Sequence, residues 1–138
     1  MVRRLEEKDV SKILIIQNEA LGRCVKEDFI KSENYIHFVA ESEGEVVGFL
    51  TLLVVDDLSE VIEVAVKKEF RGKGFAKALL KEAERYSISV GKKGLHLEVR
   101  ESNTRAREVY KAFGFEEIFV RKKYYDGKEN AIIMQIKF

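Results

Sequence analysis

The sequence contains no proline and no tryptophan, a single cysteine and two histidines. Cys24 alone cannot close an internal disulfide, which fits a reducing compartment, so a cytoplasmic location is expected. His37, His96 and Cys24 are too few and too scattered for a zinc site, and the two histidines read as packing residues; no metal is expected. No apolar run approaches the ~18 residues that a membrane span needs. The opening MVRRLEEKD has no apolar segment behind its charges, so neither a signal peptide nor a membrane partner is expected. Net charge is also scarce: charged residues make up 36% of the chain, yet their sum is only +1, which argues against a nucleic-acid binder held by bulk electrostatics. Dense, balanced charge of this kind suits a heat-tolerant protein.

What is present is enough for one core. The 138 residues, 46% of them apolar, fit one domain over 1–138, with no linker, repeat or internal boundary. Val2 to Leu5 reads as a short strand. Asp9 is a candidate N-cap for a helix whose Val10, Ile13, Leu14 and Leu21 share a face. A second short helix is expected over 25–32. IHFVAE and VVGFLTLLVV read as strands joined by the turn SEGE, and VIEVAV as the next strand. After the turn RGKGFA comes a helix with Ala76, Leu79, Leu80, Ala83, Tyr86 and Val90 at helical spacing, its end bracketed by Gly91 and Gly94. LHLEVR is a strand. A helix over 104–113 carries Ala106, Val109, Tyr110 and Phe113 on one face, and a final hairpin turns at Asp126-Gly127. The unit from VIEVAV to LHLEVR requires a crossover, so those strands should be parallel. The fold class is α/β (α+β): a mixed, mostly antiparallel sheet with one central parallel pair, flanked by four helices.

The turn Arg71–Ala76 sits between a strand and a helix, where free backbone N–H groups and the helix dipole favour an anion. A Walker A loop is absent, and a dinucleotide fingerprint fails because Lys77 stands where a third glycine belongs. On the turn alone, a tight Gly-Lys-Gly bend with solvated Arg71, Lys73 and Lys77 is as good a reading as an anion site.

The wider pattern V-A-V-x-x-x-[FY]-R-G-x-G-[FIL]-[AG], closing a strand and opening an amphipathic helix, resembles the acetyl-CoA-binding motif of the GNAT superfamily of N-acetyltransferases. The stretch LEVRESNTRAREVYKAFGF resembles that family's second landmark: a strand, an Asn, then a helix ending in Y-x-x-x-G-F. The tail RKKYYDGKENAIIM is similar to those of the RimI-type enzymes, which acetylate the α-amine of a ribosomal protein. The resemblance covers nearly the whole chain. It departs at Lys68, where the family usually has Pro, and at ALGRCVKEDF, where RimI-type enzymes carry F-P-W-[ST]; the second departure lies on the acceptor side.

The resemblance implies a co-substrate, acetyl-CoA, and a place for each of its parts. The backbone of Val64, Ala65 and Val66 would pair with the pantetheine arm, beside a bulge in that strand. The segment Arg71, Gly72, Lys73, Gly74, Phe75, Ala76 and Lys77 would hold the pyrophosphate, and Asn103 would hydrogen-bond the cofactor. The strands VIEVAV and LHLEVR would splay to admit the thioester, with a backbone N–H near Val66 as oxyanion donor. Tyr110, a core tyrosine on helical spacing alone, would be the catalytic acid. Glu98 would be the base; on spacing alone it lies with His96 and Arg100 on a polar strand face and reads equally as an ion-paired surface glutamate, while Glu60 and Glu63 compete for the role. Tyr124 and Tyr125 would line the bound peptide. The expected acceptor is a protein N-terminus such as that of a ribosomal protein. The alternatives are a small amine (polyamine, amino acid or drug) and a non-catalytic acyl-CoA-binding module. A homodimer is left open.

Overall fold

In a computed structural model, residues 1–22, 32–125 and 127–138 are described, Leu21 and Tyr125 by their backbone. The strands are β1 (Val2–Arg4), β2 (Tyr35–Ser42), β3 (Glu45–Leu53), β4 (Leu58–Val66), β5 (Gly94–Arg100), β6 (Glu116–Tyr125) and β7 (Glu129–Lys137). The helices among the described residues are α1 (Val10–Leu21), α2 (Phe75–Ser89) and α3 (Thr104–Phe113). The short helix expected over 25–32 lies, apart from Ser32, outside the described residues. The strands form one sheet in the order β1-β2-β3-β4-β5-β7-β6. Every pairing is antiparallel except β4 with β5, as the crossover through α2 requires.

α2 covers one face of the sheet. Leu79, Leu80 and Ala83 pack there on Phe38, Leu50, Leu52, Leu95, Leu97 and Met134, and α3 adds Ala106 and Tyr110 at the edge of this cluster. α1 covers the other face, where Ile13 and Ile16 meet Val39, Val46, Phe49 and Ala65. The buried stripe of α1 therefore runs through Ile13, Ile16 and Gln17. Val90, expected on the buried face of α2, is 46% exposed because the helix has ended at Ser89.

Asp9 immediately precedes α1, but its side chain does not cap it. The carboxylate instead accepts two hydrogen bonds from Arg3, at 2.7 and 2.9 Å, and one from the Glu6 N–H at 2.8 Å. The Arg3 donors hold the Asp9 carboxyl below its ordinary range, against the opposing effect of burial. With its oxygens engaged by Arg3 and by the Glu6 N–H, the carboxylate is committed to the 3-10 turn before α1 rather than to the helix itself. Arg3 also binds Glu41, so β1, β2 and the start of α1 are tied through one side chain.

β4 contains one extra residue. Thr51 faces Glu63 and Leu52 faces Val61, which leaves Ile62 as a bulge. The bulge resets the alternation, so Val61 and Val64 both lie in the α2 core although three positions separate them. Glu63 and Ala65 consequently face α1, where the Gln17 amide donates to Glu63.

The parallel pair is short: Leu58 faces Gly94, Ser59 faces Leu95, Glu60 faces His96, and there it stops. Two contacts fix this closed end. The Ser87 hydroxyl of α2 donates to that of Ser59 at 2.8 Å. Gly94 lies so close to β7 that an added Cβ would stand 2.3 Å from the Ile136 carbonyl oxygen. Gly94→Ala is expected to cost about 2–3 kcal/mol, since backbone must move to relieve the overlap; urea denaturation measures this, and an unchanged midpoint would contradict the packing described.

Candidate active site

Past Glu60, β4 runs on to Val66 with β3 as its sheet neighbour, while past His96 β5 follows β7 to Arg100. The two strands thus part into a wedge that opens toward the N-terminus of α2. The Lys67 N–H is bonded to Val47 of β3 at 2.8 Å, so by alternation the Val66 N–H points the other way, into the wedge. The Val66 carbonyl is taken by Arg71 Nε at 2.9 Å, which folds the turn back onto the end of β4.

A cleft of about 350 Å³ occupies the open end. One wall is Val64, Ala65 and Val66; another is Phe70, Arg71, Gly72, Gly74, Phe75 and Ala76; the third is Asn103, Arg105, Ala106, Val109 and Tyr110, with Ala20 reaching in from α1. Gly72 and Gly74 have φ of 76° and 91°, the left-handed region that other residues enter at a cost, and an added Cβ at either would meet nothing within 4 Å. Gly74 is the N-cap of α2 and supplies no side-chain acceptor. The first N–H groups of a 15-residue helix therefore open the cleft without a capping oxygen, under the positive end of the helix dipole. This arrangement fits a pyrophosphate. Lys73 packs its ammonium 5.3 Å from the Phe70 ring, and Lys77 is exposed; neither lines the cleft. Lys68, the position without proline, forms a 3-10 turn with Glu69 and Phe70, so the turn keeps a defined shape.

Asn103 is the N-cap of α3: its Oδ1 accepts the Ala106 N–H at 3.2 Å, which leaves the amide NH2 available to a ligand. Tyr110 stacks edge-on against Phe115 with ring centroids 5.8 Å apart, and burial pushes its hydroxyl up to about 12. It is therefore a protonated donor at neutral pH, and that hydroxyl has no hydrogen-bond partner among the described residues.

The acidic candidates stand on the opposite, α1-side face of the sheet. Leu95, Leu97 and Val99 of β5 point into the α2 core, so the alternating His96, Glu98 and Arg100 face the other way. Glu98 does not line the cleft; its carboxylate is 3.3 Å from Arg121 Nη1, and Arg121 in turn lies 5.3 Å from the Tyr124 ring. Glu60 approaches His96 at 3.9 Å, and Glu63 is buried against Gln17. Tyr124 is half-exposed; the Tyr125 side chain lies outside the described residues.

Ala20, Phe70, Arg105, Ala106 and Val109 also line the cleft, although none of them was among the expected site residues. Phe70 had a signal as the aromatic position of the V-A-V-x-x-x-[FY]-R-G-x-G pattern, and Arg105, Ala106 and Val109 follow the capping Asn103 on its helix; Ala20 had none, because only the packing of α1 onto β4 brings it there.

The model of the acetyltransferase (GNAT) family matches residues 5–115. The chain belongs to the GNAT family. It is an acetyl-CoA-dependent N-acetyltransferase. An uncharacterized N-acetyltransferase of Methanocaldococcus jannaschii is 33% identical over 139 residues, covering 97% of this chain and 89% of that protein. A [ribosomal protein bS18]-alanine N-acetyltransferase of Escherichia coli K12 is 34% identical over 113 residues, 77% of this chain and 74% of that protein. The crystal structure of the ribosomal-protein-S18-alanine N-acetyltransferase from Escherichia coli superposes with a TM-score of 0.88 at 30% identity, covering 99% of this chain and 92% of the other.

In this GNAT chain, Gly74→Glu puts a carboxylate at the mouth of the cleft and forces a left-handed φ on a residue that resists it. The expected result is at least a ~100-fold rise in the acetyl-CoA dissociation constant, measured by calorimetry, from strain plus repulsion of the phosphates. Unchanged affinity would remove the pyrophosphate from this turn.

Proposed function

We propose that this enzyme acetylates the α-amine at the N-terminus of a protein in the cytoplasm. The observation that carries the reading is the two-sided wedge. An uncapped helix N-terminus and the Tyr110 hydroxyl meet at a cleft on one side, and the carboxylates Glu60, Glu63 and Glu98 lie on the other, with Arg121 joining Glu98 to Tyr124. Relatives that cover most of this chain carry the name of ribosomal-protein alanine N-acetyltransferases, which favours a protein N-terminus as acceptor. No observation favours a small amine or a non-catalytic acyl-CoA-binding role.

Acetyl-CoA, when bound, supplies an activated thioester. The backbone N–H groups between Arg71 and Lys77 would hold its pyrophosphate at the start of α2, and the Asn103 amide and the backbone edge of Val64 to Val66 would orient its arm. The Val66 N–H, directed into the wedge, donates to the carbonyl oxygen as charge develops there. Tyr110 gives its proton to the departing sulfur; burial keeps that proton in place until it is needed. Glu98, on the acceptor face, draws the acceptor ammonium in and takes its proton through water, a modest demand because an α-amine has a pKa near ~8. Tyr124 and Tyr125 flank the peptide.

Tyr110→Phe keeps the ring contact with Phe115 and loses only the donor. It is expected to lower kcat on an alanine-starting peptide by about 10²–10³-fold with acetyl-CoA affinity unchanged. A kcat within a factor of about two of the parent would reassign the acid. The pH profile is a separate check. The Tyr110 pKa is raised, so its protonated form is complete below pH ~10 and is lost only as pH rises through about 12. The kcat/KM curve should therefore climb as the acceptor amine deprotonates near ~8 and show no falling limb below pH ~10. A falling limb at lower pH would mean another group is the acid.

A further inference from the structure

The carboxyl end of β6 is irregular. Arg121 faces Ala131 and Tyr125 faces Glu129, four steps along β6 against two along β7. Within this bulge Lys123 has φ +53°, a conformation strained for a lysine, and its N–H is held by Asn130 Oδ1 at 2.8 Å. Asn130 is itself tied to Glu101 at 3.1 Å. The bulge is thus a built feature, anchored to the loop between β5 and α3.

It carries three successive exposed cations, Arg121, Lys122 and Lys123, the first of which reaches Glu98. Arg121 alone of the three has an acidic partner, Glu98. Lys122 and Lys123 have no ion-pair partner among the described residues. The neighbouring carboxylates are already engaged: Glu129 by Arg100 and Ser102, Glu101 by Asn130. In a chain whose charges sum to +1, this is a local excess of positive charge directly following the Arg121–Glu98 pair.

We infer that this rim selects the acceptor: a protein N-terminus followed within a few residues by Asp or Glu. The inference rests on the reading of the acceptor as a protein N-terminus. The first residue would enter toward Glu98, and the acidic residues behind it would meet Lys122 and Lys123. Arg121, 3.3 Å from Glu98 and 5.3 Å from the Tyr124 ring, sits between the two regions and links them.

The test uses the whole chain and three peptide acceptors that share their first residue and carry acidic, neutral or basic residues at positions two to four. At low ionic strength kcat/KM for the acidic peptide is expected to exceed that for the basic one about tenfold, the scale of two or three exposed charge pairs, and to approach it at high salt. The double variant Lys122→Gln/Lys123→Asn, the Asn chosen to tolerate the left-handed backbone, should erase most of that ratio. Lys122→Glu/Lys123→Glu should invert it, with acetyl-CoA affinity reporting that the fold is intact. Equal kcat/KM for the three peptides, or a preference that both variants leave untouched, overturns the inference while peptide acetylation stands. Turnover of small amines with none on any peptide overturns both readings. Retention of single-stranded RNA by the same lysines, with no peptide preference, overturns it in favour of a nucleic-acid contact.

Discussion

The separation of β4 from β5 is the constraint on which the rest of this structure depends. Two parallel strands share only three residue pairs, yet neither is left without sheet bonding, because β3 follows β4 and β7 follows β5 to their ends. A backbone buried without partners is costly, and this arrangement confines the unpaired groups to the one edge that a ligand arm can satisfy. The Ile62 bulge does the complementary work on side chains. It turns Glu63 toward α1 and keeps Val61 and Val64 in the core, so the strand can leave its neighbour without exposing apolar surface. Helix, turn and cleft are placed by that parting.

The chemistry divides along the same line. Tyr110 lies on the α2 and α3 side, in surroundings dry enough to hold its proton. The carboxylates lie on the α1 side, each with a polar partner. In the proposed reaction, the group that gives a proton and the group that takes one thus stand in different surroundings. The sheet separates the two sets of side chains, and the wedge is the opening between them.

Much of this was legible in the sequence. Period-two runs gave the strands, and the spacing of Leu79, Leu80 and Ala83 gave the covering helix. The crossover rule gave the parallel pair, and the glycines gave the turn. What was not legible depends on neighbours distant in the chain. The resemblance implied a bulge in this strand, but VIEVAV is almost wholly apolar, so its own pattern does not mark Ile62 as the extra residue; only the register of β3 does. Glu98 and Arg121 meet because β7 inserts between their strands, an order that no local pattern encodes. The expected cap at Asp9 failed for a similar reason: Arg3, on β1, offered its carboxylate a stronger partner.

The buried Ser59–Ser87 hydroxyl bond has a consequence beyond the closed end it fixes. It lies near the C-terminal end of α2, whereas the phosphate-facing N–H groups lie at the other. A helix of 15 residues is about 22 Å long. The helix is therefore a lever with its fulcrum far from its working end. A tilt of about 3° at the serines carries the N-terminus through roughly 1 Å, a displacement large enough to spoil the alignment of a reacting group. Together with the packing of Leu79, Leu80 and Ala83, two small hydroxyls thus help set where the start of α2 stands at the cleft.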